Sequence, residues 1–262
     1  MTLETLRIPC GERTLDIAFL QDRTAGHGGV IWDAELCLAH YLVNKSSFSD
    51  PEAFATSKNT QDHDYGSSCA IELGAGTGLA GISLAMVDRT VRVLLTDKPA
   101  LVPLLETNTA CNQSSYDGGF NQGNVPAVQP FVFGASPKKL PREFHPDYQH
   151  IKYVLASDIL GCGDEGVFDS ILKTFEDLAI RPLHKQARYS SQDSSNPPRI
   201  LMSYKYRAEF ETNFFEKAAE NFSIRLVDSY SRQRMESLGF PIRELYDSDV
   251  VIYELTALAP AY

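Results

Sequence analysis

Cysteine is sparse in this chain. The five residues Cys10, Cys37, Cys69, Cys111 and Cys162 are odd in number, widely scattered, and form no C-x-x-C pair. That spacing suggests neither a disulfide framework nor a zinc site, and a reducing cytoplasm is the expected location. Long apolar runs are missing too. None approaches the roughly 20 residues a helix needs to cross a bilayer, so no membrane partner is expected. Residues 1–7 lack the basic-then-apolar order of a signal peptide and the arginines of a transit peptide, and no leader is expected. Positive charge is in deficit, with 24 Lys and Arg against 34 Asp and Glu, a net charge of −10. A nonspecific nucleic-acid binder needs the opposite balance. An acidic surface suits a basic partner by steering, and equally keeps a protein soluble.

What is present is ordinary in bulk and specific in detail. Hydrophobic residues make up 43% and charged residues 22%, the proportions of a globular protein. At 262 residues the chain accommodates one well-buried α/β domain rather than two. No internal repeat interrupts it.

The most informative stretch is Ala70-Ile71-Glu72-Leu73-Gly74-Ala75-Gly76-Thr77-Gly78-Leu79. It reads as a buried strand that opens through a glycine-rich turn into a helix. Glycines at alternate positions let the backbone approach a ligand, and the helix start adds amides and a positive dipole end. The next apolar strand, 91–97, ends in Asp97. An acid about 20 residues beyond the glycines grips a ribose diol in this architecture, so the pair points to an adenosine-containing cofactor. Gly76 to Gly81 also fits G-x-G-x-x-G, the dinucleotide fingerprint. However, the glycines begin earlier, at Gly74, and Glu72 places a carboxylate where a pyrophosphate would be repelled. A sulfonium and an amino group favour such a carboxylate, and S-adenosylmethionine is the expected cofactor.

The rest of the chain alternates. Residues 6–9 and 14–20 read as an N-terminal hairpin, and 25–29 as a flexible link. A helix follows Trp32, then a polar insertion at 44–66. Further strands are expected at 127–133, 153–157, 199–204, 223–228 and 250–258. Helices follow Asp97, span 168–179 and cover 214–222, with none between the last two strands. Residues 186–198 read as a loop. Strand–helix alternation of this kind implies a doubly wound, mostly parallel sheet.

Trp32-Asp33-Ala34, the glycine motif, Thr96-Asp97, Leu155-Ala156-Ser157-Asp158 and Leu201-Met202-Ser203-Tyr204-Lys205 occur in this order. In that order the chain resembles the seven-strand protein-lysine methyltransferases, methyltransferase family 16, over about residues 28–258. Among members it most resembles fungal enzymes acting on elongation factor 1A. The resemblance implies a Rossmann-like seven-stranded class I methyltransferase sheet, its last strand antiparallel between the fifth and sixth. The implied division is a hairpin extension at 1–27 and a methyltransferase domain at 28–262. It also implies a protein substrate with an accessible lysine, elongation factor 1A included, with no nucleic acid or membrane, and a monomeric enzyme.

The expected cofactor-binding residues are Trp32, Glu72, Gly74, Ala75, Gly76, Gly78, Asp97, Phe133 and Ser157. Asp158, ending the fourth strand, is expected to orient the acceptor amine, and no metal is expected. Relatives commonly carry Tyr or Phe three residues after that acid, where this chain has Gly161. Tyr204 is the expected catalytic ring in its place, with Tyr206 a second candidate. A small-molecule methyltransferase, or a cofactor-binding interaction module with little activity, remains an alternative at this stage.

Overall fold

The computed structural model describes residues 3–45, 68–88, 90–113, 125–146, 150–162, 165–180, 197–244 and 247–258. Most of the expected polar insertion and of the late Ser/Asn/Pro-rich loop lies outside them.

Strands β1 (Leu3–Cys10) and β2 (Arg13–Leu20) form the hairpin as a sheet of their own. Alternation puts Leu6, Ile8, Ile17 and Phe19 on one face, and these pack into the core beside helix α1 (Asp33–Lys45). The link between them is not the flexible segment its glycines suggest. It folds into two 3-10 turns, Arg23–Ala25 and His27–Gly29. The Asp22 amide donates to the Gly29 carbonyl at 2.7 Å, and a Cβ on Gly29 would lie 1.9 Å from the Asp22 carbonyl oxygen. Close packing demands that glycine.

The main sheet has seven strands in the order β5-β4-β3-β6-β7-β9-β8. They are β3 (Ser68–Leu73), β4 (Val91–Asp97), β5 (Ala127–Pro130), β6 (His150–Ser157), β7 (Arg199–Lys205), β8 (Phe222–Tyr230) and β9 (Val250–Ala257). Strands β3 to β7 pair in parallel, while β9 runs antiparallel between β7 and β8. This is the class I methyltransferase sheet, terminal strand included. β5 is shorter than expected, ending at Pro130, which has no amide hydrogen for a ladder.

Helices cover both faces. On one, α1, α2 (Leu79–Val87) and Leu105 of α3 (Val102–Cys111) share a core with the hairpin. On the other, α4 (Glu165–Ala179) and α5 (Thr212–Ala218) form a second. In α4 the residues Phe168, Ile171, Phe175 and Leu178 recur at helical spacing and are fully buried. Two expectations change. Phe222 begins β8 rather than ending a helix. A short helix α6 (Arg232–Ser237) precedes β9, its first turn capped by Ser231 Oγ accepting from the Arg234 amide at 3.2 Å.

Candidate functional site

From β3 the chain passes to β4 and β5 on one side, then crosses to β6 and β7 on the other. A crevice opens where strand order reverses, beyond the carboxyl ends. Here it is a cavity of about 640 Å³. The turn after β3 forms its centre, with Asp97 of β4 on one flank and Ser157-Asp158 after β6 on the other. Two strand spacings of about 4.8 Å separate these flanks.

The central turn and the β4 acid are tied together. The Gly76 amide donates to Asp97 Oδ2 at 2.8 Å, and the Lys98 amide donates to Oδ1 at 2.7 Å. Gly76 has φ +56, and a Cβ there would lie 2.9 Å from the Gly28 carbonyl oxygen, so only glycine fits. Asp97 is 9% exposed, and burial pushes its carboxyl up against the pull of those two amides. Leu101, Phe131, Val132 and Phe133 supply an apolar wall on this flank.

On the other flank Asp158 has φ +56, the one non-glycine left-handed residue among the described residues. Its amide donates to the Ser203 carbonyl at 3.0 Å. Its carboxylate receives Arg207 as a fork, Nη1 to Oδ1 at 2.7 Å and Nη2 to Oδ2 at 2.5 Å. Burial raises the Asp158 carboxyl, and Arg207 pulls it back. The guanidinium carbon lies 6.0 Å from the Trp32 ring centroid. Trp32 donates Nε1–H to the His27 carbonyl at 2.8 Å, which aligns its indole along the wall.

Of the expected residues, Trp32, Gly74, Ala75, Gly76, Asp97, Phe133, Ser157 and Asp158 line this one cavity, and Glu72, Gly78 and Tyr204 do not. Strand alternation explains two of the three. In β3, Ala70 faces α1 and α2 while Ile71 and Leu73 face α4, so Glu72 points under α2. There it is fully buried, and Oε2 accepts from the Gly81 amide at 2.8 Å. Burial first, and the nearby Glu35 charge second, hold its carboxyl well above the usual range. Glu72 is therefore a correction: it is a buried core group behind the turn and not part of the wall. In β7, Met202 and Tyr204 face the α4 side. The Tyr204 ring packs 5.2 Å from Phe215, and its hydroxyl donates to Glu211 Oε2 at 2.7 Å. It is a core tyrosine with its proton committed, which removes it from the catalytic set. Tyr206 is 44% exposed and also off the wall. Gly78 opens α2 and packs against Leu105 and Leu95.

Two residues of the cavity wall were absent from the expected set. Glu35, 3% exposed, lines the cavity. Its Oε1 accepts from Thr77 Oγ1 at 2.7 Å and from the Leu79 amide at 3.0 Å, capping α2 where Gly78 has no side chain. Burial pushes Glu35 up to about 7 against those hydrogen bonds. Arg207 is the other; it closes the run Ser203-Tyr204-Lys205-Tyr206-Arg207, part of the family resemblance, and its contacts bring it to the wall. Gly161 faces it, since a Cβ there would lie 3.2 Å from Arg207 Nη1.

The donor set of the cavity fits S-adenosylmethionine. A glycine cradle, a buried carboxylate for a diol and an apolar wall for a base occupy one flank, and a polar group occupies the other. Among the described residues no cluster of His, Cys, Asp and Glu is arranged to hold a metal ion.

A family profile described as lysine methyltransferase matches residues 12–221. The protein-lysine N-methyltransferase EFM6 of Saccharomyces cerevisiae is 26% identical over 216 residues, 79% of this chain and 76% of that protein. The EEF1A lysine methyltransferase 3 of Xenopus tropicalis is 28% identical over 135 residues, 52% of this chain and 46% of that protein. Among solved structures, the O-methyltransferase NcsB1 in complex with S-adenosylmethionine matches at TM-score 0.43 and 14% identity. That match covers 86% of this chain and 59% of that one, a likeness too loose to bear on function.

Proposed function

The chain belongs to the lysine methyltransferase family, S-adenosylmethionine-dependent enzymes, and from that premise we propose that it methylates a lysine of a translation factor such as elongation factor 1A. The reading is supported by one observation above all: Asp97 and Asp158 flank the Gly74 turn within a single cavity. The partial match to a relative named for elongation factor 1A supports the choice of substrate. Action on such a factor places the protein in the cytoplasm. Among the described residues no helix is long and apolar enough to cross a membrane.

Bound S-adenosylmethionine supplies a methyl group carried on a sulfonium. Asp97 would accept from the ribose hydroxyls, and the glycine turn at residues 74–76 would hold the cofactor beside it. Leu101, Phe131 and Phe133 would cover the base and exclude water. The indole of Trp32 walls the cavity towards the acceptor flank.

A free lysine has a pKa of about 10.4, yet only its neutral amine attacks. The acceptor flank must receive an ammonium and align an amine. Asp158 is suited to both tasks: burial raises its carboxyl, making it a better proton acceptor than a surface aspartate. Displacement is direct, so alignment and exclusion of water carry the rate.

The test is transfer from methyl-labelled S-adenosylmethionine into cell lysate and into purified elongation factor 1A, with lysine methylation read by mass spectrometry. A labelled lysine on that factor is the expected result. Label in another protein would move the substrate. Label only in small molecules, or none at all, would replace the reading with a small-molecule enzyme or a binding module.

A further inference from the structure

Arg207 has every donor occupied. A guanidinium carries five N–H groups. Nε donates to Glu244 Oε2 at 3.1 Å, and Nη1 donates to Asp158 Oδ1 at 2.7 Å and to the Lys205 carbonyl at 3.0 Å. Nη2 donates to Asp158 Oδ2 at 2.5 Å and to Glu244 Oε1 at 3.0 Å. The side chains are 14%, 7% and 3% exposed for Arg207, Asp158 and Glu244. At that depth water screens little, and the pairing governs what charge the cavity presents.

The charges do not cancel. Two carboxylates share one guanidinium, so the group carries one surplus negative charge. Lys205 is paired with Asp33 at 2.9 Å, and Lys98 lines the cavity on the Asp97 flank. Glu211 adds negative charge behind the same strand end, held by Tyr204 and by the amides of Arg207 and Ala208. Without Glu244, Asp158 and Arg207 would be a neutral pair with little pull on an incoming cation. Glu244 is not on the cavity wall, and it is tied to the site by its hydrogen bonds to Arg207.

Resting on the lysine methyltransferase reading, we propose that Arg207 and Glu244 are positioning residues of the acceptor flank. Arg207 fixes the plane of the Asp158 carboxylate. Glu244 restores the negative charge that Arg207 takes away, so that the flank draws in an alkylammonium. Burial raises both carboxyls, while the guanidinium of Arg207 draws each back. The device joins the ends of β6 and β7 to a residue just before β9, where β6 and β9 share no ladder.

The test uses n-butylammonium, a lysine side chain without its backbone, so it needs no protein substrate. The full-length protein is saturated with S-adenosylhomocysteine at pH 8 and titrated with n-butylammonium chloride. The readout is the fluorescence of Trp32, the single tryptophan, which lies beside Arg207. Glu244→Gln should weaken butylammonium at least fivefold and leave S-adenosylhomocysteine affinity within twofold. Glu244→Asp, which keeps the charge, should stay within threefold of the wild type. On a labelled protein substrate, Glu244→Gln should raise KM at least fivefold and lower kcat less.

Unchanged butylammonium affinity in Glu244→Gln would overturn the proposal. So would a Glu244→Asp as weak as the Gln variant, since packing rather than charge would then matter. Failure of the wild-type protein to bind butylammonium would overturn it as well. Butylammonium binding that follows this pattern without any protein being labelled would support the clamp while removing the lysine methyltransferase reading.

Discussion

The amide of Gly76 donates to Oδ2 of Asp97 at 2.8 Å, so the glycine turn and the acid ending the next strand form one hydrogen-bonded unit. A carboxylate oxygen has lone pairs to spare, so Asp97 can hold the turn and, as proposed, also accept from a ribose. Asp97→Ala removes both services. Each charge-assisted hydrogen bond is worth about 1.5–3 kcal/mol, so cofactor affinity should fall by at least about tenfold. Calorimetry with S-adenosylhomocysteine reads this directly, and an unchanged Kd would remove the cofactor assignment.

The proposed roles of Asp158 and Asp97 are separable by experiment. Asp158→Asn keeps a residue that tolerates the left-handed backbone at φ +56. Cofactor affinity should stay within about threefold while kcat on a protein substrate falls at least tenfold. Asp158→Ala should add a backbone penalty of about 1–2 kcal/mol, visible as a lower melting temperature. Full turnover in the Asn variant would reduce the carboxylate to a turn cap.

Glu35 makes stability depend on pH. Its folded-state pKa of about 7 lies above the unfolded value of 4.5, so the protonated form favours folding. This contribution is fully present below pH 4.5 and is lost as pH rises to about 7, at about 3 kcal/mol in total. Gln at this position cannot ionise, yet still accepts from Thr77 and Leu79. The stability of Glu35→Gln relative to the wild type should therefore rise by that amount between pH 4.5 and 8. Urea unfolding at the two ends of the range measures it. A difference independent of pH would show that Glu35 does not titrate here.

Gly161 leaves room for a guanidinium. A methyl group there would meet Arg207 Nη1 at 3.2 Å, a contact that yields with a shift of a few tenths of an ångström. Gly161→Ala should keep turnover within about threefold. Gly161→Tyr sets a ring against a side chain held by five hydrogen bonds, and turnover should fall at least fivefold. A gain in turnover would mean that an aromatic wall serves this acceptor flank better than the guanidinium does.

That Gly74, Gly76 and Asp97 meet at one cavity was legible in the sequence because these parts are local. Gly74, Gly76 and Asp97 belong to one strand–helix–strand passage, where spacing along the chain sets spacing in space. The acceptor flank is built across distance. Arg207 meets Asp158 over 49 residues and Glu244 over 37, and no pattern in the chain registers either pairing. Glu72 and Tyr204 misled for a different reason. Each stands at a strand end, where sequence marks position along the sheet but not the face a side chain takes.

Composition, hydrophobic alternation and the glycine turn suffice for an α/β sheet and a place for an adenosyl group, because backbone sterics and strand–helix periodicity act over short stretches. Which carboxylates reach that place is a tertiary matter. Period-two alternation turned Glu72 under α2 and Tyr204 towards Phe215, while packing brought Glu35 from α1 to the wall. Burial then raised the Glu35 and Asp158 carboxyls, and Arg207 drew Asp158 back. Charge state depends on neighbours and on the loss of water, and those exist only once the chain is folded.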